Sequence, residues 1–240
     1  MICWVVERAL AAKRVARAIV ATDDERIRDV VMSAGYEAIM TSPNHTSGTD
    51  RVAEVAKGLN DAAIIVNIQG DEPMISPLTI DRAVDEMASG DLGIVTTWEP
   101  IDSADSVVNP AVVKVVLDET GRAVYFSRSP VPFPRDAVRE HGTIEAALAA
   151  EPSLLSTFHK HTGLYVYRRD VLLEFASWPQ SRLEQIEALE QLRALEHGLH
   201  IKAIQASTSS IGVDTFDDLV RARKLVSEQL VSSSEFRVSS

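Results

Sequence analysis

The stretch Ala63-Ile64-Ile65-Val66-Asn67-Ile68-Gln69-Gly70-Asp71-Glu72-Pro73 decides the fold class. Its first half is mostly β-branched and apolar, which predicts a strand buried on both faces. The strand then stops at a Gly-Asp-Glu-Pro turn. In open α/β folds ligands collect where strands leave the sheet, so an acidic turn at this place is a candidate binding site.

Strand-like and helical segments alternate on both sides of this stretch. We predict strands at 18–22, 37–41, 63–68, 93–98, 112–117, 123–126, 162–167 and 201–205. We predict helices at 4–16, 24–34, 49–58, 77–87, 144–150, 183–197 and 215–230. Because such alternation is typical of βαβ units, we expect an α/β fold with a mostly parallel sheet covered on both faces.

Composition narrows the class of protein. The 240 residues carry a net charge of -11, which argues against a nucleic-acid-binding surface. Cys3 is the only cysteine, so neither an intrachain disulfide nor a cysteine metal cluster can form. The apolar runs are too short to span a membrane, and we expect a cytoplasmic protein. We read 1–231 as one domain and the Ser-rich 232–240 as a disordered tail.

Two aspartates are candidate metal ligands. Asp71 lies in the turn after the apolar strand, and Asp214 precedes the last predicted helix. Carboxylates from two strand ends are what a Mg²⁺-assisted nucleotidyl transfer requires. Each has a simpler interpretation, since Gly-Asp-Glu-Pro is ordinary turn chemistry and Asp214 could cap the helix.

The loop His45-Thr46-Ser47-Gly48-Thr49-Asp50-Arg51 offers hydroxyl and backbone donors beside a helix N-terminus, which suits a polar or anionic ligand. It could equally be a flexible loop with a capping residue. Arg128 follows a strand and precedes a proline-rich loop, a position from which it could bind a carboxylate. The alternative is an ordinary surface arginine.

The later part of the chain adds polar candidates on a strand and a helix. His161 and Tyr165 point to one face of the strand 162–167, which is either a ligand-lining face or a half-buried aromatic patch. His159 and His161 are not at the i,i+4 spacing of a helical zinc site, and no third ligand lies nearby, so we do not expect a zinc site. Glu190 and Gln191 lie on the helix 183–197, whose simplest interpretation is an amphipathic helix with a Glu190–Arg193 pair.

In this order, the motifs resemble the Kdo cytidylyltransferases, also called CMP-Kdo synthetases, where Kdo is 3-deoxy-D-manno-octulosonate. The similarity runs from about 1 to 225. The matching stretches are 19–23, 45–51, 66–73, 109–110, 113–116, 125–128, 161–165, 183–193 and 212–215.

The resemblance implies a Rossmann-like nucleotidyltransferase fold with a smaller mixed α/β part for substrate binding and dimerisation. It implies that CMP passes from CTP to Kdo, releasing pyrophosphate, for lipopolysaccharide biosynthesis. Asp71 and Asp214 would hold Mg²⁺, and these two with Arg128 would be the catalytic residues. Ser47, Gly48, Thr49 and Gln69 would contact the nucleotide. The sugar acid would be held by Arg128, His161, Tyr165, Glu190 and Gln191. We expect a homodimer with CTP and Kdo as its ligands and no nucleic-acid or membrane partner.

The chain departs from the family at its start. Family members begin with a strand and a Pro-Ala-Arg-x-x-Ser-x-Arg-x-x-x-Lys loop that supplies positive charge to the triphosphate. Residues 1–17 contain no match to this loop. We therefore expect little or no activity from the chain as printed unless that segment is supplied.

Two other functions stay open at this point. One is a cytidylyltransferase for another acidic sugar, such as a substituted Kdo or a sialic acid. The other is an inactive or binding-only homologue.

Overall fold

The computed structural model describes residues 1–210, 212–213, 216 and 218–225. The chain divides into two compact units. Unit 1 comprises 1–43, 68–81 and 207–240, and unit 2 comprises 44–67 and 82–206. The single-domain reading of 1–231 stays a prediction, and the tail 232–240 lies outside the described residues.

Unit 1 is built around two parallel strands, β1 (Ile19–Thr22) and β2 (Glu37–Met40). They are preceded by α1 (Ile2–Leu10) and joined by α2 (Glu25–Ser33). As predicted, Asp24 caps α2, its carboxylate accepting from the Arg26 amide. Val6, Val20 and Val31 form the buried core where the two helices pack on the strands.

Unit 2 contains a six-stranded sheet. Its strands are β3 (Ile64–Ile68), β4 (Ile94–Pro100), β5 (Lys114–Leu117), β6 (Ala123–Ser127), β7 (His159–Arg168) and β8 (Ile201–Gln205). The order is β6-β5-β7-β4-β8, and β3 also pairs with β7. The buried core includes Ile94, Phe126, Tyr167 and Leu192, which draws β4, β6, β7 and a C-terminal helix together.

The remaining helices are mostly short. They are α3 (Gly48–Lys57), α4 (Pro77–Ser89), α5 (Ala104–Val108), α6 (Arg135–His141), α7 (Ile144–Ala150), a 3₁₀ turn (Pro152–Thr157), α8 (Arg169–Phe175), α9 (Arg182–Glu187) and α10 (Gln191–Glu196). Residues 218–225 are also helical, whereas the predicted cap Thr215 lies outside the described residues. Within the described ranges, the structure has no helix long and apolar enough to cross a bilayer.

The α/β class is confirmed, but the larger sheet is mixed rather than mostly parallel. β4 pairs in parallel with β8, while β7 runs antiparallel to both β4 and β5, and β5 is antiparallel to β6. The alternation of elements did not reveal this because periodicity reports burial and not strand direction. The long strand β7 inserts between β4 and β5, which reverses the pairing on both of its sides.

One predicted helix is in fact two. The segment 183–197 breaks between α9 and α10, where Ala188 adopts the left-handed conformation with φ 51° and ψ 51°. This conformation costs roughly 1–2 kcal/mol for a residue with a Cβ atom. Since neither glycine nor proline marks the break, the sequence carried no ordinary signal for it. The turn places Glu190 at the start of α10 rather than in the middle of a long helix.

Candidate active site

A cavity of about 370 Å³ lies in unit 2 between the start of α3 and the turn that joins α9 to α10. Its lining is polar, and it includes two of the predicted ligand residues, Ser47 and Glu190. The remaining lining residues are Thr46, Gln180, Glu184, Gln185, Ala188 and Leu189. Residues assigned by resemblance to the nucleotide and to the sugar therefore share one cavity.

Two hydroxyl groups at the start of α3 lie close to Glu190. Ser47 caps α3 by accepting from the Asp50 amide at 3.1 Å, and its hydroxyl is near enough to Glu190 to lower the pKa of that carboxyl. Thr49 is buried, and its hydroxyl lies close to the side chains of both Glu190 and Tyr167. The simple capping interpretation of this loop is thus correct for Ser47, and the same hydroxyl has Glu190 as a neighbour in the cavity.

Glu190 retains one uncommitted oxygen. Its Oε2 is buried and has no hydrogen-bond partner among the described residues. Burial is the main cause that raises the pKa of Glu190, with the nearby Asp50 adding to it and the hydroxyls of Ser47 and Thr49 opposing it. A buried acceptor without a partner is costly, so this oxygen favours a ligand that brings a donor.

A buried ion pair joins Glu184, which lines the cavity, to Arg193. The Arg193 guanidinium donates to both carboxylate oxygens of Glu184 at 2.8 Å, and both side chains are only 3% exposed. Arg193 also lies over the Phe175 ring at 4.5 Å and donates to the Trp178 carbonyl. The structure therefore gives Arg193 a different hydrogen-bonded partner from the predicted Glu190. Removing one member of such a pair typically costs about 3–5 kcal/mol.

His161 and Tyr165 lie side by side on β7, with ring centroids 5.3 Å apart. His161 Nε2 is 2.9 Å from the Thr96 hydroxyl, and its ring meets Phe126 edge to face. Burial lowers the pKa of His161 to about 3, so the imidazole is neutral at physiological pH. Burial raises the pKa of Tyr165, which keeps its phenol protonated. These two residues form an aromatic patch with neutral polar atoms.

Arg128 is held by main-chain carbonyls. Its Nε donates to Glu187 at 2.7 Å, while its terminal nitrogens donate to Pro110 at 3.0 Å and Ala188 at 3.2 Å. An arginine has five N–H groups. Within the described part of the chain, one N–H on each terminal nitrogen remains for a ligand. The sequence did not predict that Arg128 would be bound to the turn that carries Glu190.

Lys114 is a polar core residue that sequence reasoning left unassigned. It is fully buried, and its ammonium donates to the carbonyls of Asn109, Val112 and Arg128 at 3.0, 2.6 and 2.5 Å. Burial is the main cause that lowers its pKa. A lysine inside an apolar strand was the available signal, because an unpaired buried charge would be prohibitive.

Gln191 is 7% exposed and opens α10 directly after Glu190. Of the other nucleotide candidates, Gly48 is the first residue of α3. Gln69 lies in unit 1, in the turn that follows β3. Gly48 thus belongs to unit 2 and Gln69 to unit 1.

The acidic turn of unit 1 is hydrogen-bonded to Ser210 and Val213. The Asp71 carbonyl accepts from the Val213 amide at 2.9 Å, and the Glu72 carboxylate accepts from the Ser210 hydroxyl. The Asp71 side chain is half-buried. A carboxylate in this setting suits a hard cation such as Mg²⁺, which takes one or two protein oxygens and completes its shell with phosphate and water. Asp214, the second predicted ligand, lies outside the described residues.

Comparison with known proteins identifies the family. The model of the cytidylyltransferase family matches residues 1–204. The 3-deoxy-manno-octulosonate cytidylyltransferase of Trichlorobacter lovleyi is 49% identical over 225 residues, which cover 93% of this chain and 87% of that protein. The protein of the same name from Geobacter sulfurreducens is 47% identical over 220 residues, covering 91% and 86%.

Solved structures agree with this result. A CMP:2-keto-3-deoxy-manno-octonic acid synthetase complexed with CTP matches with a TM-score of 0.82 and 39% identity, covering 95% of this chain and 88% of that one. A 4-diphosphocytidyl-2C-methyl-D-erythritol synthase from Anaerococcus prevotii shares the fold, with a TM-score of 0.57 at 12% identity. The chain therefore belongs to the cytidylyltransferase family, and within it to the 3-deoxy-manno-octulosonate cytidylyltransferases.

Proposed function

We propose that this chain transfers CMP from CTP to Kdo and releases pyrophosphate, which would serve lipopolysaccharide synthesis. The observation that carries the proposal is the TM-score of 0.82, across 95% of the chain, to a synthetase complexed with CTP. In the reaction the anomeric hydroxyl of Kdo attacks the α-phosphorus, a new P–O bond forms, and the bond to pyrophosphate breaks. Such chemistry needs positioning and charge neutralisation rather than a covalent enzyme intermediate.

The sugar would bind at the cavity of unit 2. Glu190 Oε2 is a buried acceptor without a partner in the described residues, which suits a sugar hydroxyl. Arg128 has one N–H left on each terminal nitrogen, a pair that suits the carboxylate. Gln191, His161 and Tyr165 complete the set proposed for the sugar acid. The neutral imidazole of His161 can hydrogen-bond to a hydroxyl without adding charge.

The nucleotide would meet small side chains and backbone groups. Ser47 lines the same cavity as Glu190, and Gly48 and Thr49 follow it at the start of α3. Positive charge at a helix N-terminus favours an anionic or polar ligand. Gln69, in the turn after β3, would complete the nucleotide contacts.

Mg²⁺ would be held by Asp71 together with Asp214. The ion would neutralise phosphate charge as the pyrophosphate leaves. The half-buried carboxylate of Asp71, in a turn whose backbone is fixed by Val213, is the support for this assignment. We further propose a cytoplasmic homodimer, on the basis of the family alone.

The first alternative is transfer of CMP to another acidic sugar. It is less well supported, because the relatives at 49% and 47% identity are both named for 3-deoxy-manno-octulosonate.

The second alternative is an inactive or binding-only homologue, which the identity and coverage also do not favour. Glu190 Oε2, a buried acceptor without a partner among the described residues, favours a ligand rich in hydroxyl donors, and Kdo has that character.

The test is a coupled pyrophosphate-release assay with CTP and a panel of sugar acids. Because we expect triphosphate binding to depend on a Pro-Ala-Arg-type loop, the assay includes a second form with that loop fused ahead of Met1. The proposal predicts CTP- and Mg²⁺-dependent release with Kdo at a kcat/KM at least about tenfold above that for a sialic acid. Equal rates with both acids, or release with neither in both forms, would contradict it.

A further inference from the structure

The turn from Glu187 to Glu190 fixes where the cavity carboxylate lies. Ala188 is the only residue other than glycine with positive φ among the described residues. The amides of Ala188 and Leu189 both donate to the Glu184 carbonyl, which closes the end of α9. The chain then turns directly into α10, and Glu190 faces the cavity. A change in this turn would therefore move Glu190 first.

Arg128 and Glu187 hold this turn in place, because the side chain of each hydrogen-bonds to the main chain of the other. The Glu187 carboxylate accepts from the Arg128 amide at 2.9 Å and from the Ser127 hydroxyl at 2.7 Å. In return the Arg128 guanidinium donates to the carbonyls of Glu187 and Ala188. Charge-assisted hydrogen bonds of this kind are the stronger ones, and several from one planar group also fix orientation. The end of β6 is thereby fastened to the left-handed turn.

Lys114 also hydrogen-bonds to the main chain at Arg128. Its ammonium gathers the carbonyls of Asn109, Val112 and Arg128, which come from two stretches of chain. An ammonium has three donors, and all of them are used. Burying an ammonium group costs desolvation free energy, whereas an apolar side chain of similar length would pack there without that cost. Its particular contribution is to hold the Arg128 main chain in one place.

We propose that Lys114 and Glu187 are positioning residues for the sugar-binding side of the cavity. Lys114 holds the Arg128 backbone, Glu187 ties that backbone to the left-handed turn at Ala188, and the turn sets the place of Glu190. Neither side chain needs to touch the sugar for this effect. The inference rests on the proposed function for its kinetic consequences and on the turn itself for its structural ones.

The first test compares Glu187→Leu with Glu187→Gln, and all kinetic variants are made in the form that carries the fused loop. Leucine removes the acceptors, whereas glutamine keeps one oxygen for the Arg128 amide and can donate to the Ser127 hydroxyl. We expect Glu187→Leu to raise the KM for Kdo about tenfold or more, with the KM for CTP within about twofold. Glu187→Gln should recover most of that loss. Glu145→Leu, at an exposed position of α7, is the matched control and should leave both values unchanged.

Lys114→Met keeps length and apolar volume but removes the three donors. It should raise the KM for Kdo by about three- to tenfold, again with little change for CTP. Lys57→Met, at an exposed lysine in α3, is its control. A loss of thermal stability with the KM for Kdo unchanged would show a merely structural role and overturn the proposal. Equal increases in both KM values would also overturn it.

Amide hydrogen exchange separates this inference from the proposed function. The amides of Ala188 and Leu189 should exchange at least about tenfold faster in Glu187→Leu and near the wild-type rate in Glu187→Gln. This readout needs no turnover. Unchanged exchange at both amides in Glu187→Leu would overturn the inference even in an active enzyme. Failure of the wild type to form CMP-Kdo both with and without the fused loop, with the exchange pattern as expected, would instead contradict only the proposed function.

Discussion

The Asp71 turn of unit 1 and the Glu190 cluster of unit 2 are two acidic sites built in different ways. The Glu190 cluster comprises Ser47, Thr49, Glu184, Glu190 and Arg193. Asp71 is half-buried, and the main chain of its turn accepts a hydrogen bond from the Val213 amide. Glu190 is surrounded by hydroxyls, beside a buried ion pair. The difference matches the two roles proposed for these sites, metal binding at Asp71 and sugar binding at Glu190. A metal-binding carboxylate needs open coordination for phosphate and water, whereas sugar recognition needs acceptors held in place before the ligand arrives.

The largest expected effect on stability lies in the Glu190 cluster. Arg193→Met leaves the Glu184 carboxylate buried without its partner, and we expect a loss of about 3–5 kcal/mol in the free energy of unfolding. The double variant Glu184→Leu with Arg193→Leu should recover much of that loss, because neither charge is then left alone. Urea unfolding followed by circular dichroism measures both. A loss below about 1 kcal/mol for Arg193→Met would show that the pair does not support this region.

The Asp71 turn should behave in the opposite way. Asp71→Asn should lower Mg²⁺-dependent kcat by about 10²- to 10³-fold, because an amide would replace the carboxylate that we propose as a ligand for the metal. The free energy of unfolding should change by less than about 1 kcal/mol, since the turn is fixed by the Asp71 carbonyl and not only by its side chain. Asp61→Asn, at an exposed position, is the control. A Mg²⁺ response identical to that of the wild type would remove Asp71 from the metal site.

Much of the fold could be predicted from apolar periodicity. α7 and β8 have the predicted bounds, and Asp24 caps α2 as expected. Strand direction was not predictable, because β7 pairs with strands far away in the sequence.

The candidate site also has features that could be predicted from the sequence and features that could not. The positions that match family motifs could be named from the sequence alone, and Ser47 and Glu190 do line one cavity. The left-handed Ala188 and the carbonyl contacts of Arg128 depend on tertiary hydrogen bonds between β6 and the α9–α10 turn. No local pattern encodes such contacts.

The buried His161 on β7 should make the free energy of unfolding depend on pH. Burial lowers the pKa of His161 to about 3 from 6.5. Below pH 6.5 the unfolded chain takes up a proton that the folded chain refuses, so stability present above that pH is lost as the pH falls towards 3. His161→Gln should lack this part of the acid sensitivity. The measurement is the free energy of unfolding against pH for both proteins, and parallel curves would contradict the assignment.

Glu190 should give a smaller effect of opposite sign. Burial raises its pKa above 4.5, so the folded chain retains a proton that the unfolded chain releases. Wild-type stability should therefore fall as the pH rises from 4.5 through the folded pKa, and Glu190→Gln should be free of this loss. Denaturant unfolding of both proteins at a series of pH values from 4.5 upward measures the difference in their free energies of unfolding. A variant that becomes less stable than the wild type as the pH rises would contradict the expectation.

The assignment of different roles to Asp71 and Glu190 is tested most directly by steady-state kinetics of Asp71→Asn and Glu190→Gln, both made in the form that carries the fused loop, with Kdo and Mg²⁺ varied independently. Glu190→Gln should raise the KM for Kdo about tenfold or more and leave the Mg²⁺ concentration for half-maximal rate unchanged. Asp71→Asn should raise that Mg²⁺ concentration and leave the KM for Kdo within about twofold. Equal changes of both quantities in both variants would contradict the account.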